Sequence, residues 1–272
     1  MNLLVSIGNV KNVSSKIAEF FDGELKVMST SELGVTGSIP KEIEDCTVNL
    51  IQSKLTGDSQ SYKKVYFVVD LEDLQAFSLA SLLGFYKDSE SYVIGIVKST
   101  SGLQFSEGCT FILNVLQEMR RSKLIDFLTV FSEQIIQKYD EEINLLNRDD
   151  RVADKITRSL VEMLYWDGQT PIKSLTPNSR PWDALRVYED YDVQSELSTP
   201  TFQLEDMDYY SYHFIISQKD AQDSEFFKEL EKTLDKISEQ DYKLFIEETA
   251  STYCFRVGYL KNPVVFKSKE EL

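Results

Sequence analysis

KVYFVVDL at residues 64–71 and YVIGIVK at residues 92–98 carry the two strongest strand patterns in the chain. Both are short runs of β-branched and aromatic residues, which is typical of strands that are buried on both faces. A helical pattern over residues 77–86 separates them. The order strand, helix, strand predicts a parallel β-α-β unit, because parallel strands need a long crossover connection.

The same alternation extends from this unit in both directions. Before it, the patterns predict strands at residues 2–8 and 25–28 and helices over 11–22 and 44–54. After it, they predict a helix over 105–121, a strand at 127–131 and a helix over 133–139. The first half of the chain is therefore predicted to be a parallel sheet with helices on both faces.

The second half begins with a long helix over residues 148–166, whose apolar residues repeat every four positions. Residues 171–208 are rich in Pro, Ser, Asp and Glu, and we predict a connector with little regular structure beyond 182–188. A strand, a helix and two strands follow at 210–217, 224–238, 242–248 and 253–258. The predicted organisation is a Rossmann-like α/β domain (1–147), a central helix (148–168), a connector (169–208) and a smaller α+β domain (209–266).

The chain is strongly acidic, with 45 acidic and 29 basic residues and a formal net charge of -16. Such a charge opposes binding to nucleic acid or to an anionic membrane, and it makes any self-association depend on ionic strength. The three scattered cysteines Cys46, Cys109 and Cys254 indicate core thiols in a reducing compartment. No apolar run approaches the ~20 residues of a membrane span. The chain opens directly as a strand, so we expect a cytoplasmic protein.

Residues 65–164 carry a resemblance to a known family. They run VYFVVDL, helix, YVIGIVK, then SGLQFSEGCTFILNVLQEMRRS leading into FLTVFSE, and then the central helix. This order resembles the tubulin/FtsZ superfamily, and in particular its divergent members encoded by phages. The resemblance implies a nucleotide-type domain, a long central helix and a smaller sheet domain. It also implies GTP with magnesium as the ligand, and self-association.

The phosphate loop of that superfamily departs from its pattern here. A loop close to GGGTGSG follows the corresponding strand in the family, because glycines let backbone N–H groups crowd around phosphates. The matching stretch is LEDLQAFSLAS at residues 71–81, which has no glycine. Asp70, Glu72 and Asp73 place negative charge where phosphates would bind, and Coulomb repulsion opposes them. The sequence predicts that the usual phosphate grip has been lost.

The first loop, IGNVKNVS at residues 7–14, keeps a single glycine, Gly8, which is typical of a tight turn. This loop opens onto the carboxyl edge of the predicted sheet, where α/β proteins bind their ligands. The candidate ligand-binding residues are therefore Gly8, Asn9 and Asn12, together with Asp149 in the first turn of the central helix.

The catalytic loop of the superfamily has the pattern Asn-x-Asp-x-x-Asp or Glu and acts on the nucleotide of the neighbouring subunit. The matching stretch is NSRPWD at residues 178–183. Asn178 and Asp183 fit the first and last positions, but Arg180 replaces the middle acid. An arginine cannot accept a proton from an attacking water. The resemblance therefore assigns no catalytic residue.

His213 is the single histidine and lies in the apolar strand YYSYHFII. Neither a Gly-x-Ser-x-Gly turn nor a cysteine nucleophile accompanies it, so we predict a buried structural histidine. One histidine and three separated cysteines give no metal-ligand spacing, and no metal site is predicted.

Three functional hypotheses stay open. The first is a tubulin/FtsZ-like structural or scaffold protein that self-associates, has degenerate GTPase motifs and is not an enzyme. The second is a divergent, filament-forming GTPase that holds GTP and magnesium with a non-standard phosphate loop. The third is a Rossmann-like protein that binds another small ligand near Gly8, Asn9 and Asp70. We favour the first, because the phosphate loop and the catalytic loop both depart from the superfamily pattern.

Overall fold

The computed structural model describes residues 1–21, 25–29, 62–98, 106–174, 184–204, 207–237, 240–248, 251–261 and 266. The predicted helix over 44–54 lies outside these residues, and so does Cys46. Within the described ranges, no helix combines the length and the hydrophobicity that crossing a membrane requires.

The described strands form one sheet of eleven strands. They are β1 (Asn2–Ile7), β2 (Leu25–Ser29), β3 (Lys64–Asp70), β4 (Glu90–Val97), β5 (Phe127–Ser132), β6 (Lys173–Ser174), β7 (Leu185–Asp192), β8 (Leu197–Pro200), β9 (Tyr209–Ser217), β10 (Asp241–Glu247) and β11 (Tyr253–Leu260). The helices are α1 (Lys11–Glu19), α2 (Leu79–Phe85), α3 (Glu107–Arg121), α4 (Glu133–Tyr139), α5 (Arg148–Gly168) and α6 (Ser224–Lys236). The strand order is β2-β1-β3-β4-β5-β7-β11-β9-β10-β6, and β8 pairs with β7.

The first half of the sheet is parallel, as the sequence predicts. Strands β2, β1, β3, β4 and β5 pair in parallel with their neighbours. Successive side chains enter different hydrophobic clusters on the two faces. In β3, Phe67 and Val69 pack on one face, and Tyr66 and Val68 pack on the other. Burial on both faces explains why these strands are continuous apolar runs. The predicted α/β fold class is confirmed.

The central helix α5 confirms the helix predicted over 148–166. Its buried side chains, Ile156 and Leu160 among them, pack in the same cluster as one face of β1 and β3. That cluster also contains residues of the second half of the sheet. The ring centroids of Trp166 and Phe245 lie 4.5 Å apart. The helix therefore packs against both halves and joins their cores.

The predicted connector over residues 171–208 contains more regular structure than the segment 182–188 that the sequence indicated. Leu185–Asp192 forms strand β7, which pairs in parallel with β5 and antiparallel with β11, and β8 pairs with its end. The prediction covered only the first part of this strand, because charged residues follow in LRVYEDYD, and these buried charges have partners. The guanidinium carbon of Arg186 lies 4.5 Å from the ring centroid of Phe127. The Oε2 atom of Glu189 lies 2.6 Å from Nε of Arg256.

The C-terminal unit is confirmed as β9, α6, β10 and β11. Strands β9 and β10 pair in parallel, and β11 lies antiparallel between β7 and β9. The sheet therefore runs from β5 through β7 into this unit, across the predicted boundaries at residues 147, 168 and 208. The division of the chain into separate domains stays a prediction.

Candidate ligand site at the carboxyl edge of the sheet

Strands β1, β3 and β4 are neighbours in the sheet and end at the same edge. Ligands of open α/β sheets bind outside such carboxyl ends. Strand β1 leads into Gly8 and Asn9, β3 leads into the turn that begins at Leu71, and β4 leads into Lys98. We call residues 8–12, 70–75 and Lys98 the carboxyl edge.

The turn after β3 satisfies backbone N–H groups with its own carboxylates. The N–H of Glu72 donates to Oδ1 of Asp70 at 3.2 Å. The N–H of Gln75 donates to Oδ1 of Asp73 at 2.9 Å. The N–H of Lys98, at the end of β4, donates to Oε2 of Glu72 at 3.0 Å. In a phosphate loop such N–H groups point at phosphate oxygens. Here carboxylates of the chain itself take that place.

The helix predicted over 77–86 starts differently from the prediction. A 3-10 turn over Leu74–Ser78, capped by Asp73, precedes α2. The α-helix therefore begins only at Leu79, and its N-terminal N–H groups do not follow the end of β3 directly. The first helical turn after β3 is therefore a 3-10 turn capped by Asp73, and not the start of an α-helix.

Lys98 connects the three strand ends. Its Nζ atom lies 2.8 Å from Oδ2 of Asp70 and also donates to the carbonyl oxygen of Asn9. The Asp70 side chain is 7% exposed and that of Lys98 is 26% exposed. An internal carboxylate thus neutralises the ammonium, which is correspondingly less able to bind an external anion.

Gly8 is required by close packing as well as by its turn. Its φ is +77°, a backbone conformation that L side chains rarely adopt. A Cβ atom at this position would lie 2.8 Å from Cβ of Asp73 and 2.9 Å from Cβ of Asp70. The first loop is therefore pressed against the turn after β3, and Gly8 permits that contact.

A cavity of about 220 Å³ lies beside the carboxyl edge. Its polar lining consists of Asn9, Asn12, Lys98, Glu133 and Asp149. Three of the four predicted ligand-binding residues therefore come together around this cavity, while the fourth, Gly8, lies against Asp70 and Asp73. The volume is below the range of about 300–1,000 Å³ that is common for small-molecule sites.

The sequence analysis missed two of these lining residues. Lys98 ends the strand predicted at 92–98, and Glu133 follows the strand predicted at 127–131, so both stand where parallel strands end. Their position at the ends of parallel strands was the signal from which both residues could have been predicted. Burial raises the pKa of the Glu133 carboxyl above its usual 4.5, and the Lys98 charge partly opposes this shift.

The predicted catalytic loop cannot be placed, because Asn178, Arg180 and Asp183 lie outside the described residues. Its loss of function stays a prediction. Over the described ranges, no three His, Cys, Asp or Glu side chains come together as metal ligands. Cys109 and Cys254 are buried free thiols, as the sequence predicts.

A larger cavity, of about 590 Å³, lies along α5 and the end of β7. Its lining includes Phe20, Arg151, Lys155, Arg158 and Asp190. The Nζ atom of Lys155 forms an ion pair with Asp190. None of the predicted ligand-binding residues lines this cavity.

A cluster of residue types that occur in catalytic triads surrounds His213. The Ser211 hydroxyl donates to Oδ2 of Asp241 at 3.0 Å, and its oxygen lies 3.4 Å from Nε2 of His213. In a catalytic triad the aspartate orients the histidine and the histidine accepts the serine proton. Here the serine proton is directed to the aspartate, which assigns the proton between His213 and Ser211 to Nε2.

Because the side chains of this cluster are buried, we assign it a structural role. Ser211 is 1% and His213 is 2% exposed, and Nδ1 of the histidine has no hydrogen-bond partner among the described atoms. The imidazole stacks on the ring of Phe255, with centroids 4.6 Å apart. Burial lowers the pKa of His213 well below its usual 6.5, and the charge of Lys243 adds to the shift. The predicted buried histidine is confirmed.

Comparison with known proteins identifies the fold. No family model matches the sequence, and no curated protein matches it. Among solved structures, an empty FtsZ dimer of M. jannaschii is similar with a TM-score of 0.58 at 10% identity, over 95% of this chain and 88% of that one. CetZ2 from Haloferax volcanii, solved as a GTPgS-bound protofilament, gives 0.59 at 10% identity over 96% and 94%. CetZ from Methanosaeta thermophila gives 0.60 at 11% identity over 96% and 87%. The chain has the tubulin/FtsZ fold.

The substitution Gly8→Ala is expected to lower the free energy of unfolding by roughly 2–4 kcal/mol. The left-handed conformation costs about 1–2 kcal/mol for an L residue, and the contacts with Asp70 and Asp73 add an overpacking cost of similar size. Urea unfolding measures the change. The matched control is Gly84→Ala, since a Cβ there meets no described atom within 4 Å. This control should be neutral or stabilise by up to about 1 kcal/mol. Equal effects at both glycines would contradict the close contact.

The substitution Lys98→Met is expected to destabilise the fold by roughly 1–3 kcal/mol, because it leaves the Asp70 carboxylate buried without its partner. Breaking a fully buried pair costs about 3–5 kcal/mol, and partial exposure of the lysine reduces this cost. Adding Asp70→Asn should recover part of the loss, which a double-mutant cycle measures. The control Lys236→Met breaks an exposed pair and should cost less than about 1 kcal/mol. A double-mutant cycle that shows no coupling energy between Lys98 and Asp70 would rule out the connecting role of Lys98.

Stability should fall by about 2 kcal/mol between pH 7 and pH 5 through His213. The folded histidine stays neutral, while the unfolded one gains a proton near pH 6.5. The unfolded state therefore binds more protons, and stability decreases as the pH falls through this range. Urea unfolding of wild type and His213→Phe at both pH values isolates this contribution, since carboxylates titrate in both proteins. The wild type should lose more stability than the variant, and equal losses would disprove the assignment.

Proposed function

We propose that this protein is a tubulin/FtsZ-like structural or scaffold protein that self-associates and has lost GTPase chemistry. One observation carries the proposal. The N–H groups of Glu72, Gln75 and Lys98 at the carboxyl edge are already bonded to carboxylates of the chain. A structural role needs the fold and its surfaces but not an open phosphate site.

The electrostatics of the carboxyl edge support this proposal. A phosphate would have to displace Asp70, Glu72 or Asp73 from their N–H partners and then remain close to them. Two unit charges 4 Å apart interact by about 4 kcal/mol at an effective dielectric constant of 20. Each remaining carboxylate therefore repels a bound phosphate appreciably. The nearest cation, Lys98, is paired with Asp70.

The similar structures support the self-association. One is described as a dimer and another as a protofilament, and both are covered by this chain over most of their length. A head-to-tail contact between identical subunits builds a filament or a ring, according to whether its rotation closes.

The phage-encoded branch and the cytoplasmic location belong to the same proposal and rest on the sequence alone. The net charge of -16 supports a partner that is neither nucleic acid nor an anionic membrane.

The alternative is a divergent, filament-forming GTPase that binds GTP with magnesium. The observation in its favour is the cavity that brings Asn9, Asn12, Asp149 and Lys98 together. This cavity opens beside the carboxyl edge, where a nucleotide would lie in an α/β fold. It has acidic groups close by, and a bound nucleotide would need the magnesium ion to compensate their charge.

We expect no change of melting temperature on adding about 1 mM GTP with magnesium to the full chain. Binding with a dissociation constant one hundredfold below the ligand concentration would stabilise the fold by about 2.7 kcal/mol. For a chain of this size that corresponds to a rise of roughly 5 °C or more. A rise with GTP that ATP does not produce would establish the alternative.

Self-association is tested in the same samples by sedimentation, light scattering and electron microscopy. We expect assemblies with and without nucleotide, and stronger association at about 150 mM than at about 10 mM salt. The Debye length falls from about 30 Å to about 8 Å over this range, which screens the repulsion between acidic subunits. A protein that stays monomeric at high concentration under all these conditions would overturn the proposed function.

A further inference from the structure

Phe266 docks on helix α3, beyond the last strand of the sheet. Strand β11 ends at Leu260, and Phe266 belongs to none of the described strands and helices. Its side chain is 4% exposed and lies in the same hydrophobic cluster as Leu113 of α3 and Leu128 of β5. An aromatic residue outside the regular elements therefore forms part of the core.

A single side chain holds the backbone of Phe266. The N–H of Phe266 donates to Oδ1 of Asn114 at 3.1 Å, and Nδ2 of Asn114 donates to the carbonyl oxygen of Phe266 at 3.2 Å. These two bonds fix the orientation of the amide, since its oxygen only accepts and its nitrogen only donates. The amide pairs with both backbone groups of one residue, as a neighbouring strand does in an antiparallel ladder. Such a contact recognises the main chain and not a particular side chain.

The ring of Phe266 packs beside Phe202, which is 2% exposed. The two ring centroids lie 6.5 Å apart and the planes meet at 62°. Edge-to-face pairs of this type stabilise aromatic side chains beyond the area that they bury. We call Asn114 and the pocket beside Phe202 the anchor site. The pocket favours an aromatic side chain, while Asn114 holds the backbone that carries it.

Two further hydrogen bonds fix the chain where it leaves β11. The N–H of Lys261 donates to Oδ2 of Asp208 at 2.5 Å, and Nη2 of Arg120 donates to the carbonyl oxygen of Lys261 at 3.1 Å. Arg120 and Asn114 both belong to α3. One helix therefore contacts the chain at Lys261 and again at Phe266.

The contact at Phe266 is separable from the sheet. Strands β5 and β7 pair through their own backbones, and so do β7 and β11. Release of Phe266 breaks two hydrogen bonds to Asn114 and exposes one aromatic pocket, but it breaks no strand pairing. A contact of this kind opens at a lower free energy than the whole fold.

We propose that the anchor site is a peptide-recognition site, which binds an extended segment that carries a large aromatic side chain. Phe266 of the chain itself occupies the site and competes with such a segment of a second polypeptide. The contacts define the partner. Its aromatic residue must offer both a backbone N–H and a carbonyl oxygen to Asn114, which a residue inside a helix cannot do. This inference goes beyond the proposed self-association and does not rest on it.

The first experiment measures the binding of a fluorescent peptide with the sequence of residues 261–271 to full-length proteins by fluorescence anisotropy. Phe266→Ala empties the pocket, whereas the wild type keeps its own segment in place. A tethered segment acts at an effective concentration on the order of 1 mM, so the wild type should bind the peptide about tenfold more weakly than the variant, or weaker still. The matched control is Phe111→Ala, since Phe111 lies on the same helix and is 57% exposed. It should bind the peptide like the wild type.

The second experiment tests the main-chain contact. Asn114→Asp, added to Phe266→Ala, keeps the shape of the side chain but removes the donor to the carbonyl oxygen. Peptide binding should weaken by about fivefold or more, because a buried acceptor loses its partner. Asn114→Ala adds no charge and should weaken binding at least as much. A peptide with alanine in place of its phenylalanine should not bind, because it lacks the aromatic anchor.

Hydrogen exchange of the wild type tests whether Phe266 leaves the site while the sheet stays folded. The N–H of Phe266 should exchange about tenfold faster than the amides of β3 and β4, or faster still, because its release requires only local opening. This measurement needs no substitution, so it tests the proposal even if Phe266→Ala does not fold.

Three results would overturn the proposal. Phe266→Ala might unfold like the wild type and yet bind no peptide, in which case the anchor site is not a recognition site. Equal binding to the wild type and to Phe266→Ala would exclude competition by Phe266. An N–H of Phe266 that exchanges only together with the amides of β3 and β4 would exclude its release from the folded protein.

Discussion

The ion pair between Lys98 and Asp70 is the constraint on which the carboxyl edge depends. Parallel strands end together at one edge, and their backbone groups and loops must find partners there. In a nucleotide-binding fold the ligand supplies many of these partners. Here one ammonium contacts the ends of β1, β3 and β4, and the neighbouring carboxylates accept from the N–H groups. Gly8 allows the first loop to close on this arrangement. These groups at the strand ends therefore have partners within the chain itself.

Charged side chains are also paired within the chain in the second half of the sheet. The Arg256 guanidinium pairs with Glu189 and lies 4.0 Å from the ring centroid of Tyr210. Its Nη2 atom donates to the Ser198 hydroxyl at 2.8 Å. A buried charge is tolerated when it is paired and hydrogen-bonded in this way. These contacts join β7, β8, β9 and β11, so a strand with several charges becomes part of the core.

The same contacts explain which parts of the fold the sequence could predict. Strands buried on both faces leave a local signal, and β3, β4 and the central helix were predicted from it. Strand β7 leaves a weaker signal, and the sequence indicated only regular structure over 182–188, because the charged residues of the strand find partners far along the chain. Glu189 pairs with a residue 67 positions away. Asn9, Asn12 and Asp149 were predicted because they follow strand or helix boundaries, whereas Glu133, which also follows a strand end, was assigned only to a helix start. Its place in the cavity depends on how α4 and α5 pack.

The ion pair and the hydrogen bonds at the carboxyl edge also determine how a ligand can act there. A ligand shifts an equilibrium only when it binds one state better than another. If Lys98 and Asp70 hold the edge in one arrangement, a nucleotide has no second arrangement to favour there. An anion that bound there would first have to release the N–H groups of Glu72, Gln75 and Lys98 from their carboxylates. The free energy of its binding would therefore include the cost of breaking these hydrogen bonds.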